Sequence, residues 1–352
     1  MRVLFCNKYN FRFSGTEVYL FELMEMMRAR GHEVALFSMA DPRGEPTEFD
    51  RHFVPHIKFK DQKGLLTKAR NAAHAIYSTA ARQRLRDMVR EFRPDVAHIR
   101  NIYHHLSPSI LWELKQQNIP VLYHLNDFKL LCPSYNLVSH GRSCESCKGG
   151  KFWHSIRTKC YPGLGARATL AAEAYVHRWL GTYDKCVDLF LAPSKFVRDK
   201  FVEHGWDSIR FEVLPHFQEV LPLQPAPEDA PILYVGRLSE EKGVDDLIRA
   251  MSQARDVQLL IAGEGPQRKA LEQLVDELNL ANVKFVGQVS AKERDALITP
   301  MPHYGPAFAC LRDTRQDDPG IIRTWASGRR LGYWLTPGVG TPWRDGFALS
   351  LR

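Results

Sequence analysis

The stretch that decides the fold is Ile-Leu-Tyr-Val-Gly-Arg-Leu-Ser-Glu-Glu-Lys-Gly, residues 232–243. Its first four residues form a continuous apolar run, which is typical of a buried strand in a parallel sheet. The run leads directly into a loop that begins at Gly236 and carries Arg237 and Lys242. The sequence therefore predicts two cations on a loop at the carboxyl end of a sheet strand.

The residues that follow continue an alternation of helix and strand. Apolar residues recur at helical spacing from Val244 to Met251, and the apolar run 257–262 predicts the next strand. Gly263-Glu264-Gly265-Pro266 then precedes a second helical pattern. Helix N-termini at the carboxyl ends of parallel strands offer unpaired N–H donors to anions, and arginine and lysine bind phosphate well. We predict an α/β repeat with room for a diphosphate.

These motifs, followed by Asn-Val-Lys-Phe-Val-Gly at residues 282–287, resemble the donor-binding domain of glycosyltransferase family 4. The resemblance implies the GT-B fold, in which two Rossmann-like α/β domains face each other across a cleft. It also implies transfer of a sugar from a nucleotide-diphosphate sugar, with retention of configuration and without a catalytic metal. The donor-binding residues that it implies are Gly15, Gly236, Arg237, Lys242, Gly263 and Gly265. Read separately, the same pieces also fit an ordinary solvated surface.

The first half of the chain also alternates strands and helices. An apolar run at residues 3–6 and a helix starting at Gly15 form a βαβ beginning that is typical of nucleotide-binding folds. We predict an N-terminal, acceptor-side Rossmann-like domain over residues 1–217 and a proline-rich linker over 218–230. A partial donor-binding domain then covers residues 231–293.

The segment 121–128 resembles the strand end that places a His-Asp pair beside the sugar in many relatives. Here Asn126 stands in place of the histidine, and Asp127 is retained. The resemblance implies sugar contacts and a catalytic role for both, alongside Arg237 and Lys242. His124 lies on the same strand face as Asn126, and it is an open alternative for the missing histidine. The neighbouring pair His104-His105 fits ordinary surface histidines.

Four of the seven cysteines lie close together in an insertion at about residues 132–160. Cys144 and Cys147 form a Cys-x2-Cys pair, and Cys132 and Cys160 complete a set of four. Four thiolates are a usual ligand set for structural zinc. The alternatives are reduced cysteines in a lid loop, or a redox pair at Cys144 and Cys147.

The formal net charge is +8, and part of it is concentrated in residues 52–93, which carry ten Lys or Arg against three acids. Such a basic face suits an anionic acceptor or peripheral contact with anionic lipid. A solvated face without a partner fits equally. No nucleic-acid recognition motif accompanies the charge, so we expect no nucleic-acid partner. No apolar run is long enough to span a membrane, and we expect a cytoplasmic protein, peripheral at the inner membrane face.

The composition changes abruptly near Arg294. Residues 294–352 contain no Glu and no Lys but eight Arg, six Pro and seven Gly, without helical or strand periodicity. The family's usual Glu-x7-Glu element has no counterpart there. We therefore expect an aberrant tail, as a shifted reading frame would produce, and an incomplete second domain.

Three functions fit these observations. The first is a glycosyltransferase that acts on a glycan or glycolipid acceptor in surface polysaccharide or glycolipid assembly. The second is a catalytically inactive, truncated remnant of such an enzyme. The third is a nucleotide-binding oxidoreductase, which shares the fold type. The sequence lacks the strand-turn-helix Gly-x-Gly-x-x-Gly motif that such an enzyme would carry, and this argues against the third function.

Overall fold

The computed structural model describes residues 1–57, 64–140, 142–217 and 231–298. The chain divides into two compact units, Met1–Phe217 and Gln218–Arg352. The predicted linker 218–230 and residues 299–352 of the predicted aberrant tail lie outside the described residues. Each unit has its own parallel sheet.

The first unit is built on a six-stranded parallel sheet with the order β2-β1-β3-β4-β7-β8. A small antiparallel pair, β5 and β6, lies in the cysteine-rich insertion. The strands are β1 (Arg2–Cys6), β2 (Glu33–Phe37), β3 (Val96–Ile99), β4 (Val121–His124), β5 (Val138–Ser139), β6 (Arg142–Ser143), β7 (Leu189–Ala192) and β8 (Phe211–Val213). The strand order reverses between β1 and β3, and ligands of such sheets bind at the carboxyl ends beside that switch point.

Eight α-helices accompany these strands in the described part of the first unit. They are α1 (Gly15–Ala29), α2 (Leu65–Ile76), α3 (Thr79–Phe92), α4 (Ser109–Gln116), α5 (His154–Arg157), α6 (Leu164–Leu180), α7 (Thr182–Cys186) and α8 (Lys195–Glu203). The predicted helix start at Gly15 is confirmed. None of the helices in the described ranges is both long enough and apolar enough to cross a bilayer.

Both faces of the first sheet are covered by apolar side chains. Leu4 and Cys6 of β1 lie in one buried cluster with residues of α3 and α4, whereas Val3 and Phe5 lie in another with residues of α1. Successive side chains of a strand point to opposite faces, so a sheet with helices on both sides needs strands that are apolar throughout. This explains why the strands read as continuous apolar runs.

The described part of the second unit repeats the same design on a smaller scale. Its parallel strands, in the order β11-β10-β9, are β9 (Ile232–Val235), β10 (Leu259–Ala262) and β11 (Val283–Gly287). Its helices are α9 (Val244–Met251), α10 (Arg268–Glu277) and α11 (Ala291–Ile298). The predicted strand 232–235 and the helix from Val244 to Met251 are confirmed, while the second strand begins at Leu259, two residues later than predicted.

The loops after β9 and β10 pack against each other backbone to backbone. Gly263 has a φ of +144°, and a Cβ there would lie 1.9 Å from the carbonyl oxygen of Gly236. A Cβ at Gly265 would lie 2.2 Å from the carbonyl oxygen of Leu238. The Leu238 amide donates to the Glu264 carbonyl at 3.0 Å. Only glycine permits this contact, because any larger residue would collide with backbone that cannot move aside.

Replacing Gly263 with alanine should therefore destabilise the second unit. We expect Gly263→Ala to lower the free energy of unfolding by about 2 kcal/mol or more, through strain and the clash with Gly236. Differential scanning calorimetry of the full chain measures the effect. The matched control is Gly165→Ala in α6, where a Cβ would meet nothing within 4 Å. Equal effects of the two substitutions would contradict the packing argument.

Candidate functional site

The carboxyl edge of the first sheet carries a network built around Arg100, the residue directly after β3. The side chain is 1% exposed. Its Nη1 donates to Nδ1 of His124 at 3.1 Å, and its Nη2 donates to Oδ1 of Asn126 at 2.6 Å. The guanidinium also lies over the ring of Tyr19, 4.7 Å from the centroid. Burial lowers the pKa of Arg100 to about 10, so the group remains a cation at neutral pH.

Two buried histidines next to Arg100 stay neutral. Burial and the nearby guanidinium lower the pKa of His98 to about 3 and that of His124 to about 2. The rings stack at 5.5 Å between centroids. A neutral His124 can accept the hydrogen bond of Arg100 at Nδ1. Since His124 is fully buried, it holds Arg100 in place and is not presented at the surface in place of the family's histidine.

Asn126 and Asp127 lie half-buried in the loop after β4. The Asn126 amide nitrogen donates to the His124 carbonyl at 3.2 Å, so both ends of this amide are fixed. Oδ1 of Asp127 accepts from the Lys129 amide at 2.9 Å. Burial raises the pKa of Asp127, and Lys129 and Lys8 oppose that rise. The structure thus brings the two predicted residues to the edge beside the switch point.

Further buried charges lie just behind this edge. Nζ of Lys129 is 2.9 Å from Oε2 of Glu173, and both side chains are almost fully buried. His104 faces Glu173 at 3.6 Å and contacts the Tyr135 hydroxyl. The interpretation of His104 and His105 as ordinary surface histidines is wrong, because both are half-buried and burial lowers their pKa values.

The second unit presents its two predicted cations on the loop after β9. Arg237 is exposed and Lys242 is partly exposed, in a short 3-10 turn that ends at Gly243. Among the residues described for this unit, neither side chain has an ion-pair or hydrogen-bond partner. The binding of the sugar donor by Gly236, Gly263 and Gly265 stays a prediction. The close packing of their loops is a separate, structural reason why glycine occupies these positions.

Gly15 begins α1 at the same edge as the Arg100 network. A Cβ at this position would meet nothing within 4 Å, so the space in front of it is open. The preceding residue, Ser14, donates its hydroxyl to Glu17 at 2.6 Å. The predicted contact of Gly15 with the donor remains a prediction, consistent with the free space.

The four cysteines of the insertion do not form a metal site. All are reduced; Cys132 and Cys147 are buried, and Cys144 and Cys160 are half-buried. Burial and, to a smaller extent, the three other thiols raise the pKa of Cys147 to about 12. In the part of the chain that the structure describes, no three His, Cys, Asp or Glu side chains are placed to hold an ion. The structure does not support the predicted zinc.

The basic segment 52–93 is less available than its charge suggests. Arg82 and Arg86 of α3 both pair with the buried Glu113. Arg84 donates to the backbone carbonyls of Arg51 and Phe53 at 3.2 and 3.0 Å. Several cations of this segment are therefore already paired within the protein, where they stabilise the fold.

Comparison with known families identifies both units. Residues 14–216, more than half of the chain, match the glycosyl transferase 4-like domain. The chain belongs to this family. Residues 222–300 of this glycosyl transferase 4-like protein match the glycosyl transferases group 1. The second match ends close to the point where the composition changes.

Curated relatives resemble the protein over part of their length. The lipopolysaccharide core biosynthesis glycosyltransferase LpsD of Rhizobium meliloti is 37% identical over 97 residues, which is 25% of this chain and 28% of that protein. A GDP-mannose-dependent alpha-mannosyltransferase of Mycolicibacterium smegmatis is 27% identical over 277 residues, 74% of this chain and 62% of the relative. The matches thus span less than two thirds of either relative.

Solved structures share the GT-B fold with this glycosyl transferase 4-like protein. Sucrose-phosphate synthase from Thermosynechococcus elongatus has a TM-score of 0.53 at 20% identity, covering 85% of this chain and 73% of that chain. Anabaena HepE in complex with UDP and glucose has a TM-score of 0.50 at 18% identity, and the match covers 82% of this chain and 70% of the HepE chain. The predicted fold class is therefore confirmed.

The neutral histidines predict a pH-dependent stability. Histidine in an unfolded chain has a pKa of about 6.5, so between that pH and the folded values the unfolded chain binds more protons. The stability is fully present above about pH 6.5 and falls as the pH is lowered. Each of His98 and His124 contributes up to about 1.4 kcal/mol per pH unit in this window.

His124→Asn tests this contribution. The asparagine Oδ1 can accept from Arg100 but cannot be protonated at these pH values. Urea unfolding at pH 7 and pH 5 should show a smaller loss of stability in the variant than in the wild type. Equal losses in the two proteins would show that His124 does not supply the dependence.

Proposed function

We propose that this protein transfers a sugar from a nucleotide-diphosphate sugar to a glycan or glycolipid acceptor, with retention of configuration, in surface polysaccharide or glycolipid assembly. Membership of the family supports the reaction class. The similarity to LpsD, a lipopolysaccharide core biosynthesis glycosyltransferase, supports the biosynthetic setting. HepE with bound UDP and glucose supports a nucleotide-sugar donor.

The observation that carries the proposal is the pair of cations on the loop after β9. Arg237 is exposed, Lys242 is partly exposed, and neither has a partner within residues 231–298. A guanidinium can hold two phosphate oxygens through parallel N–H bonds, and an ammonium adds a point charge. As the bond between the sugar and the diphosphate breaks, negative charge develops on the departing diphosphate. These two groups stabilise that charge, which is a main source of rate acceleration in such reactions.

Asn126 and Asp127 contact the sugar in this proposal. Oδ1 of Asn126 already accepts from Arg100, and one amide N–H donates to the His124 carbonyl. An asparagine amide has two N–H donors, so one remains for a hydroxyl of the ligand. Arg100 is then a positioning residue that fixes which way the amide points. Gly15 contributes backbone N–H groups at the start of α1, where anions are favoured.

The proposal also includes peripheral contact with a membrane through the basic segment 52–93, but with fewer cations than the sequence suggests. The ion pairs of Arg82 and Arg86 with Glu113 occupy two of its cations. Lys68 and Arg70 of α2 are exposed and remain candidates for an anionic acceptor.

An inactive remnant is the second candidate, and a specific observation favours it. The match to the group 1 family ends at residue 300, and residues 294–352 contain no glutamate to contact the donor. A remnant with this sequence would fold its first unit but would not hold a nucleotide. The two candidates therefore differ in nucleotide binding.

Removing either cation should weaken nucleotide binding. We expect Arg237→Ala and Lys242→Ala each to weaken binding about 10- to 100-fold, because a hydrogen bond to a charged group contributes about 1.5–3 kcal/mol. Isothermal titration calorimetry with a panel of nucleoside diphosphates measures the loss. Lys269→Ala is the matched control, since Lys269 is an exposed cation on α10 of the same unit.

The outcomes separate the candidates. If the wild type binds one nucleotide and only the two loop variants lose it, the transferase proposal stands. If both loop variants bind as well as the Lys269 control, the assignment of Arg237 and Lys242 is wrong. If the wild type binds none of the nucleotides, the chain is the remnant.

A further inference from the structure

Helix α6 carries an apolar stripe on its outward face. Leu164, Ala168, Ala172, Tyr175 and Trp179 follow one another at spacings of three or four residues and therefore share one side of the helix. All are exposed: Leu164 to 64%, Tyr175 to 40% and Trp179 to 84%. Surface helices usually turn polar residues to solvent. Tyr175 packs edge-on against the ring of Phe152, with 5.3 Å between the centroids, whereas Leu164 and Trp179 turn most of their surface to solvent.

The stripe is distinct from the side by which α6 packs into the protein. Leu170, Ala171, Glu173 and His177 are buried on the other side. Nε2 of His177 donates to the Ile76 carbonyl at 2.7 Å, and Nδ1 is hydrogen-bonded to the Thr182 hydroxyl at 2.9 Å. The helix is thus already anchored, and its outward stripe is not needed to hold it in place.

Aromatic side chains of the insertion extend the same surface. The backbone N–H of Trp153 donates to the Tyr175 hydroxyl at 3.1 Å, so the start of α5 lies against the stripe. The indole of Trp153 is 44% exposed and stacks on His154 at 3.7 Å. We call the set Trp153, Leu164, Tyr175 and Trp179 the α6 surface.

The charges around the α6 surface are of one sign. Residues 142–178 contain seven Lys or Arg and two acids. Both acids are ion-paired: Glu145, whose side chain is 33% exposed, pairs with Lys200 at 2.9 Å, and the buried Glu173 pairs with Lys129 at 2.9 Å. The exposed cations are Arg142, Lys148, Lys151, Arg157, Lys159 and Arg178. Within residues 142–178, the fully exposed charges are therefore all positive.

We propose that the α6 surface docks on the headgroup layer of an anionic phospholipid bilayer. Tryptophan and tyrosine combine an apolar ring with a polar atom, and they favour the boundary between hydrocarbon and water. A helix with an apolar stripe and flanking cations binds in the plane of that boundary. The charge complementarity selects anionic lipid, since cations near such a surface each add to the binding. This docking does not depend on the proposed transfer activity.

Vesicle sedimentation of the full chain tests the docking. The vesicles are phosphatidylcholine alone, and phosphatidylcholine mixed with phosphatidylglycerol in equal parts. The wild type should bind the anionic vesicles and not the zwitterionic ones. The double variant Trp153→Ala/Trp179→Ala should bind at least about tenfold more weakly. Arg157→Gln/Arg178→Gln should lose about 30-fold, since it removes two surface charges.

The matched control is Ile209→Ala, because Ile209 is 86% exposed but lies between α8 and β8, outside the α6 surface. It should bind like the wild type. Circular dichroism checks that all variants keep the fold, as expected for exposed side chains. Absent binding to anionic vesicles, or equal losses in the control, would overturn the proposal. So would sedimentation velocity showing that the tryptophan variants abolish only self-association, because a second copy would then be the occupant.

Discussion

A buried guanidinium organises the carboxyl edge of the first sheet. Arg100 is almost completely hidden from solvent and yet remains charged at neutral pH. A buried charge is tolerated only where hydrogen bonds and favourable rings surround it. His124, Asn126 and Tyr19 supply them here. His124 is kept neutral by its burial and, second, by this cation, which also fixes the direction of the Asn126 amide.

The second unit depends on a different constraint, the close contact between the loops after β9 and β10. Backbone hydrogen bonds between the loops hold this contact, and the absence of side chains at Gly263 and Gly265 permits it. In the second unit, Arg237 and Lys242 lie on a loop whose backbone packing requires glycines. In the first unit, the charged side chain of Arg100 orients Asn126. The same α/β design supports both edges, because parallel strands bring successive loops to one side of the sheet.

The sequence predicted much of the fold, and its failures have physical reasons. Apolar runs such as residues 232–235 identified strands correctly, since strands buried on both faces must be apolar. The prediction of Asn126 and Asp127 as site residues rests on the resemblance. Arg100 was missed because its partners follow from the pairing of β3 with β4, which no local pattern shows. The sequence did offer one signal for Arg100, because it is a charged residue directly after the apolar strand β3. The zinc prediction rested on the number and spacing of the cysteines and on a similar insertion in some family members, and neither fixes where the side chains point.

The hydrogen bonds between the two glycine loops also bear on how a ligand would be received. The Gly236 amide donates to Ala262, the Leu238 amide to Glu264 and the Gln267 amide to Leu238, each at 3.0 Å. The turn that carries Arg237 is therefore tied to the start of α10 and moves with it as one piece. The backbone entropy of the turn is lost when the chain folds, so in the proposed nucleotide complex the remaining ordering cost would be that of side chains such as the exposed Arg237.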